Sequence, residues 1–191
     1  MKGLSIFSCI TILIVNSFIA NNITSCSLSN SNKINNHSLK KDSNQIRIVT
    51  NYEQINSISE LLNTFKNRPV FIDLWATWCT PCLEEFKHSK PLYEYLTKNG
   101  IEIIYISFDK EKDDLVWRER INANQLFGNH IRASKSLQDS LTTLIWGGID
   151  AYSLPNYLLF NKKGQIVNKD NLHPNTGINL FKQIESDLKE N

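Results

Sequence analysis

From residue 46 onward, short apolar runs alternate with longer stretches whose apolar residues recur every three or four positions. Runs of the first kind predict strands and those of the second predict helices. Residues 46–49 are a short candidate strand. Residues 55–65 are a candidate helix with Ile58, Leu61, Leu62 and Phe65 on one face. Pro69 precedes Val70-Phe71-Ile72-Asp73-Leu74-Trp75, a nearly continuous apolar run of the kind that forms a strand buried on both faces. Residues 83–98 read as a helix that Pro91 should kink and that Asn99-Gly100 should stop. Residues 101–108 form the next apolar run, closed by Asp109. Strand, helix, strand in this order predicts a right-handed parallel crossover.

Two further helices are predicted at about 115–123 and 136–145, with Phe127-Gly128-Asn129-His130 as a loop between them. Residues 156–160 and 165–167 flank a turn at 161–164, which is the pattern of a hairpin. A last amphipathic helix is expected over 176–189, with Ile178, Phe181, Ile184 and Leu188 toward the sheet. The order predicts an α/β fold. A central mixed β-sheet is flanked by helices, and a helical insertion separates a βαβ half from a ββα half.

Ahead of residue 46 the pattern changes. Met1-Lys2 supplies a positive start, and residues 4–20 are apolar apart from Ser5, Ser8, Thr11, Asn16 and Ser17. That stretch fits a signal h-region better than a membrane span, which needs ~20 mostly apolar residues. Ile23-Thr24-Ser25-Cys26 follows and resembles the bacterial lipobox, in which the cysteine is acylated and becomes the first mature residue. Residues 1–26 are thus expected to be a signal peptide ending at a lipidated Cys26. The alternatives are cleavage after Ala20, with Cys26 free, or an uncleaved anchor; all three place the rest of the chain outside the cytoplasm. Residues 27–45 are polar, rich in Asn, Ser and Lys, and read as a flexible tether. Its 19 residues reach roughly 25 Å as a random coil. Residues 46–191 are the folded domain.

Composition supports a single domain with a proper core: 191 residues, 41% of them hydrophobic and 10% aromatic. The net charge is only +2, and removing residues 1–26 takes away Lys2 and no acid, leaving 20 bases against 19 acids. Such a balance gives no electrostatic footprint for nucleic acid.

Four cysteines are present: Cys9 inside the signal, Cys26 at the lipobox, and the pair Cys79 and Cys82 in Trp78-Cys79-Thr80-Pro81-Cys82. A pair so close in the chain closes a tiny loop and restrains the unfolded state little, so it points to chemistry before stability. Cys79 follows a strand and opens a helix, where backbone amides and the macrodipole favour a thiolate. Cys79 is therefore the expected nucleophile of disulfide exchange, and Cys82, one helical turn on, the resolving thiol. Pro81 removes one backbone donor and stiffens the turn. Half a zinc site is the competing reading of such a pair, but it needs two more ligands. The histidines His37, His88, His130 and His173 are scattered and no second C-x-x-C occurs, so no metal is expected. A one-cysteine peroxidase would need Thr three residues before its cysteine, and Ala76 stands there.

Val70 to Cys82 resembles the active-site strand and turn of thioredoxin-like proteins. Trp-Ala-Thr-Trp-Cys-x-Pro-Cys, with an inserted helical segment and an export signal, is similar to the TlpA/ResA group of extracytoplasmic oxidoreductases. The resemblance extends over 46–189. Ser153-Leu154-Pro155 ahead of the strand at 156 carries it independently. It implies that Pro155 is cis and lies against the dithiol, where backbone at this loop can pair with a substrate strand. An ordinary strand-start proline is the alternative. Leu154, Pro155, Trp78 and Pro81 are accordingly assigned to the substrate-binding surface. The resemblance also implies that Asp73 is a buried acid, with a raised pKa, that takes the proton of the resolving thiol; the alternative is a strand-end Asp facing water. Trp75 and Trp78 are expected to pack around the dithiol, with a core role for Trp75 equally open. Glu84 and Glu85 are read as acids of the first helical turn whose charge opposes ionisation of Cys79. Lys110, Lys112, Arg118 and Arg120 read as a solvated face.

The resemblance implies an exported thiol–disulfide oxidoreductase that acts on protein thiols and disulfides of the cell envelope, as a reductant. It needs no cofactor beyond the redox-active disulfide Cys79–Cys82. It would draw electrons from a membrane donor of the thiol-reductase type and sit as a membrane-anchored lipoprotein facing the periplasm. The alternative is a non-enzymatic thioredoxin-fold module that binds a metal or a protein partner through the dithiol.

Overall fold

Six strands form one mixed sheet in a computed structural model that describes residues 44–148 and 152–190. The expected signal, the lipobox cysteine and residues 27–43 of the tether lie outside the described residues. In chain order the elements are β1 (Ile46–Ile48), α1 (Ile58–Asn63), β2 (Val70–Trp75), α2 (Thr80–Glu85), α3 (Ser89–Lys98), β3 (Glu102–Ser107), α4 (Asp114–Ala123), β4 (Gly128–Arg132), α5 (Lys135–Trp146), β5 (Asn156–Phe160), β6 (Ile166–Asn168) and α6 (Ile178–Lys189). The strand order is β1-β4-β3-β2-β5-β6. The first four are mutually parallel; β5 runs antiparallel to β2, and β6 antiparallel to β5. This is the α/β architecture with a mixed sheet that the pattern predicts, in the thioredoxin arrangement.

Every residue of β2 and β3 is buried, which is why β2 reads as an apolar run interrupted only by Asp73. The crossovers from β1 to β2 and from β2 to β3 travel in opposite directions across the sheet. Right-handed connections therefore put α1 and α3 on opposite faces. On one face α3 and α6 pack together: the rings of Tyr95 and Phe181 stack with centroids 4.1 Å apart, and the Tyr95 hydroxyl donates to the Phe181 carbonyl. The Asn99-Gly100 stop works as a left-handed cap. Gly100 has φ +70°, its amide donates to the Thr97 carbonyl, and the Ile101 amide donates to that of Leu96.

Four expectations are corrected. The helix expected over 55–65 is shorter, because Ser57 caps it at Ile58 by accepting from the Glu60 amide. The helix expected over 83–98 is two, α2 and α3, joined by a 3₁₀ turn at Phe86–His88. Pro91 cannot donate to the Lys87 carbonyl and its ring crowds that oxygen, so the break falls one turn before the proline. On α6, Ile178 is exposed and Leu180 is buried instead. Leu180, Ile184 and Leu188 recur every four residues along the sheet-facing stripe, and Ile178 falls outside it.

The largest correction concerns 127–130. The segment expected to be a loop carries β4, which lies between β1 and β3, so the insertion is helix–strand–helix. Its polar residues Asn129 and His130 are buried, and all their polar side-chain atoms but His130 Nδ1 find partners among the described residues. Asn129 donates to the Glu102 carboxylate and the Ile103 carbonyl, and accepts from Arg47 Nε. His130 Nε2 lies 2.7 Å from the Leu126 carbonyl, and its ring stacks on Tyr105. Burial pushes the His130 pKa down to about 4, so the ring is neutral and Nε2–H is the donor. Gly128, at φ +134°, is required by space as well: a Cβ there would sit 2.6 Å from Ile103 Cγ2.

Parallel strands give the domain two distinct poles. The C-terminal ends of β1 to β4 and the start of β5 lie at one. The N-terminal ends of β1 to β4 and the turn after β5 lie at the other.

Candidate active site

At the first pole β2 ends at Trp75 and the chain passes through Ala76, Thr77 and Trp78 into α2. Cys79 is the N-cap of that helix, in extended conformation, and its Sγ accepts from the Cys82 amide at 3.2 Å. The sulfur thus occupies the position where a capping oxygen usually sits, facing the orphan amides of the first turn. Pro81 falls at N2, where the missing donor breaks no helical bond. Cys79 and Cys82 are joined by a disulfide with their Cα atoms 5.3 Å apart. Both are buried, Cys79 at 4% exposure and Cys82 at 1%.

The loop that delivers Cys79 is tied down by Asp109, just past the end of β3. The Thr77 amide donates to both carboxylate oxygens, at 3.1 and 3.0 Å, and the Thr77 hydroxyl donates at 2.7 Å. The Ser107 hydroxyl donates to Asp109 as well. By pattern alone Asp109 is no more than the end of a strand. The sole signal in the sequence is an acid placed directly after a buried apolar run.

Beside the dithiol the Leu154–Pro155 peptide is cis. A cleft of about 400 Å³ runs between the two segments and is lined by Trp78, Cys79, Thr80, Pro81, Tyr152, Ser153 and Leu154. The fold thus brings Cys79, Pro81, Trp78 and Leu154 into one concave surface, with Pro155 next in the chain. Cys82 and Asp73 lie in the core cluster and the buried strand behind it. Trp78 does not pack around the dithiol as expected. It is 58% exposed at the rim, because the turn into α2 directs it outward, and its ring faces that of Tyr152 at 6.3 Å. Trp75 is the core residue, fully buried and edge-on to Phe86. Tyr152 carries no signal in the sequence, having no periodic neighbours.

Asp73 is buried in the middle of β2, paired in register with Tyr105 on β3 and Tyr157 on β5. Burial pushes its pKa up to about 8, and the nearby Glu85 carboxylate adds to the rise. Among the described residues its Oδ1 has no hydrogen-bond partner, and neither have the hydroxyls of Tyr105 and Tyr157. Burial, with Asp73 as the next cause, also pushes both phenols upward. Glu85 belongs to the last turn of α2, not the first, because the helix begins at Thr80. It is buried, with Oε1 3.1 Å from His173 Nδ1 and Oε2 accepting from the Asn175 amide at 2.9 Å. Glu84 is exposed and pairs with Lys87. Among the described residues, no three His, Cys, Asp or Glu side chains group as metal ligands, and no helix is long and apolar enough to cross a membrane.

A family model described as AhpC/TSA matches residues 48–169. The thiol-disulfide oxidoreductase ResA of one Bacillus cereus strain is 27% identical over 108 residues, covering 56% of this chain and 57% of that protein. ResA of Bacillus thuringiensis subsp. konkukian is 39% identical over 49 residues, 26% of this chain and 28% of that protein. The matches therefore span from about a quarter to under three fifths of those relatives. Among solved structures, the thioredoxin domain of a thiol-disulfide oxidoreductase from Bacteroides vulgatus superposes with a TM-score of 0.53 at 25% identity, covering 65% of this chain and 82% of that one. The chain belongs to the AhpC/TSA family and is a TlpA/ResA-like member of the thioredoxin superfamily.

Proposed function

We propose that this chain is an exported thiol–disulfide oxidoreductase that reduces disulfides of proteins in the cell envelope through Cys79 and Cys82. The observation that carries the reading is the Cys79–Cys82 disulfide at the N-cap of α2, with Cys79 lining a cleft beside the cis Leu154–Pro155 segment. In the reduced protein, the Cys82 amide and the first-turn dipole stabilise a Cys79 thiolate. That thiolate attacks a substrate disulfide: a bond forms from Cys79 Sγ to one substrate sulfur, and the other leaves as a thiolate. Asp73, with its pKa near 8, is matched to a thiol of ordinary pKa ~8.5, and its ionised fraction, minor at pH 7 and growing toward pH 8, takes the proton of Cys82. Cys82 then attacks Cys79 Sγ, releasing the second substrate thiol and leaving the disulfide seen here. Trp78, Pro81, Leu154 and Pro155 hold the substrate strand along the cleft.

The reducing direction is supported by the acids behind the dithiol. Asp73 and Glu85 are both buried there; a thiolate formed beside them meets the Glu85 carboxylate and, as pH approaches 8, that of Asp73, and negative charge disfavours the thiolate that strong oxidants stabilise. The signal pattern and Cys26 support export and lipid anchoring, with the domain facing the periplasm and supplied by a membrane electron donor of the thiol-reductase type. Reduction of insulin disulfides by the full chain tests the reading. Cys79→Ser should abolish it, and Cys82→Ser should accumulate mixed disulfides with substrate. Activity surviving in Cys79→Ser, or no trapped adduct in Cys82→Ser, would remove the roles assigned to the pair.

A further inference from the structure

At the pole opposite the dithiol, a cleft of about 320 Å³ opens between the segment entering β2 and the β5–β6 turn. Lys66, Arg68, Lys162 and Lys163 line it, and among the described residues no carboxylate does. All four cations are exposed, while its floor includes Phe65 and Val70, both buried. Arg68 pairs with Glu102, but none of the three lysines is in an ion pair among the described residues. The concentration is local, since the whole chain carries a net charge of only +2. These three unpaired lysines beside the Glu102-paired Arg68, over a partly apolar floor, raise the potential at this one site and attract anions to it.

We propose that this cleft docks on the phosphate headgroups of an anionic phospholipid bilayer and turns the dithiol pole away from the membrane. Chain direction points the same way. β1 is parallel to β4, β4 to β3, and β3 to β2, so Ile46 enters the sheet at the same pole as Val70. The 45 residues that precede Ile46 therefore join the domain at its cationic end. The six residues of β2 set the two poles roughly 20 Å apart, leaving the Cys79 cleft open to protein partners. The form of the site favours a lipid surface over a single bound phosphate. Its ammonium groups ride on exposed, flexible stems around an open cleft, which suits a mobile array of headgroups, whereas one small anion calls for fixed donors converging on a point.

The anchoring proposed above enters only in deciding which way the pole faces, and the test is independent of it. The full chain carrying Cys26→Ser is co-sedimented with vesicles of phosphatidylcholine alone or mixed with phosphatidylglycerol, at low and high salt. Any contribution of residues 1–45, Lys2 included, is common to the parent chain and the variants compared below. Binding should be stronger on the mixed vesicles and should fall with salt. Each lysine near an anionic surface strengthens binding about fivefold, so Lys66→Gln, Lys162→Gln and Lys163→Gln together should lose on the order of a hundredfold. The same charge change at Lys110, Lys112 and Lys135, beyond the opposite ends of β3 and β4, should lose far less. Equal losses in the two triple variants, or equal binding to both vesicle types, would overturn the proposal. So would displacement by inorganic phosphate beyond that caused by sodium chloride of equal ionic strength, which would mark a small-anion site. Insulin reduction by the triple variants reports separately on the dithiol.

Discussion

The Asp73→Asn substitution keeps the shape of a side chain buried at the centre of β2 and removes its ability to ionise. Asp73 holds its proton in the fold up to about pH 8, against 3.8 ordinarily, chiefly because burial penalises the carboxylate and secondarily because Glu85 repels it. Between those values the folded chain binds more protons than the unfolded one, so stability falls as pH rises. The contribution is fully present below pH 3.8 and is gone once pH passes about 8. At 1.4 kcal/mol per pH unit, the three units from pH 4 to 7 remove about 4 kcal/mol, less whatever local relaxation recovers. The variant has no such loss. In urea, with m of about 2 kcal/mol/M, the two unfolding midpoints should draw apart by about 2 M between pH 4 and 7, the variant being the more resistant at pH 7. The comparison is made on the disulfide form, so that Cys82 does not titrate alongside. Other titrating groups, His130 included, are common to both proteins and cancel in the difference. Parallel pH profiles would refute the claim that Asp73 is buried and protonated.

Three other perturbations probe different parts of the account. Asp109→Ala leaves the Thr77 amide and hydroxyl and the Ser107 hydroxyl without their acceptor. It should cost about 3 kcal/mol in denaturant unfolding and speed hydrogen exchange at residues 77–79; unchanged exchange there would deny Asp109 its anchoring role. Trp78→Ala removes a ring that is mostly solvent-exposed. Stability should move by no more than about 0.5 kcal/mol, while KM for a protein disulfide substrate rises with kcat largely kept; an unchanged KM would exclude Trp78 from the substrate surface. Cys26→Ala should release the chain from cell membranes in fractionation, and continued retention would point to an uncleaved anchor.

Much of the scaffold was legible because it depends on local pattern. A strand buried on both faces is a continuous apolar run, and β2 announced itself so; Asn99-Gly100 announced a left-handed cap for the same reason. β4 was not legible. Asn129 and His130 look like loop residues until Glu102, Ile103 and Leu126 are brought beside them, and most of that pairing spans 26 or 27 residues. The dithiol was legible from spacing and from its place between strand and helix. Its surroundings were less so: His173 lies 88 residues from the Glu85 it meets, and Asp109 lies 32 from the Thr77 it holds. Because α2 starts at Thr80 and not at Leu83, Glu85 sits at its end. An acid read as belonging to the first turn belongs to the last, buried near Asp73 instead of facing water.

The most direct test of the central claim is equilibration of the full chain with thiol buffers of defined potential, following the Cys79 and Cys82 thiols by alkylation. The account predicts one reversible two-electron transition near the thioredoxin value of roughly −270 mV. A transition near roughly −120 mV would contradict the reducing direction, and a pair that fails to exchange with the buffer at all would contradict the oxidoreductase reading itself.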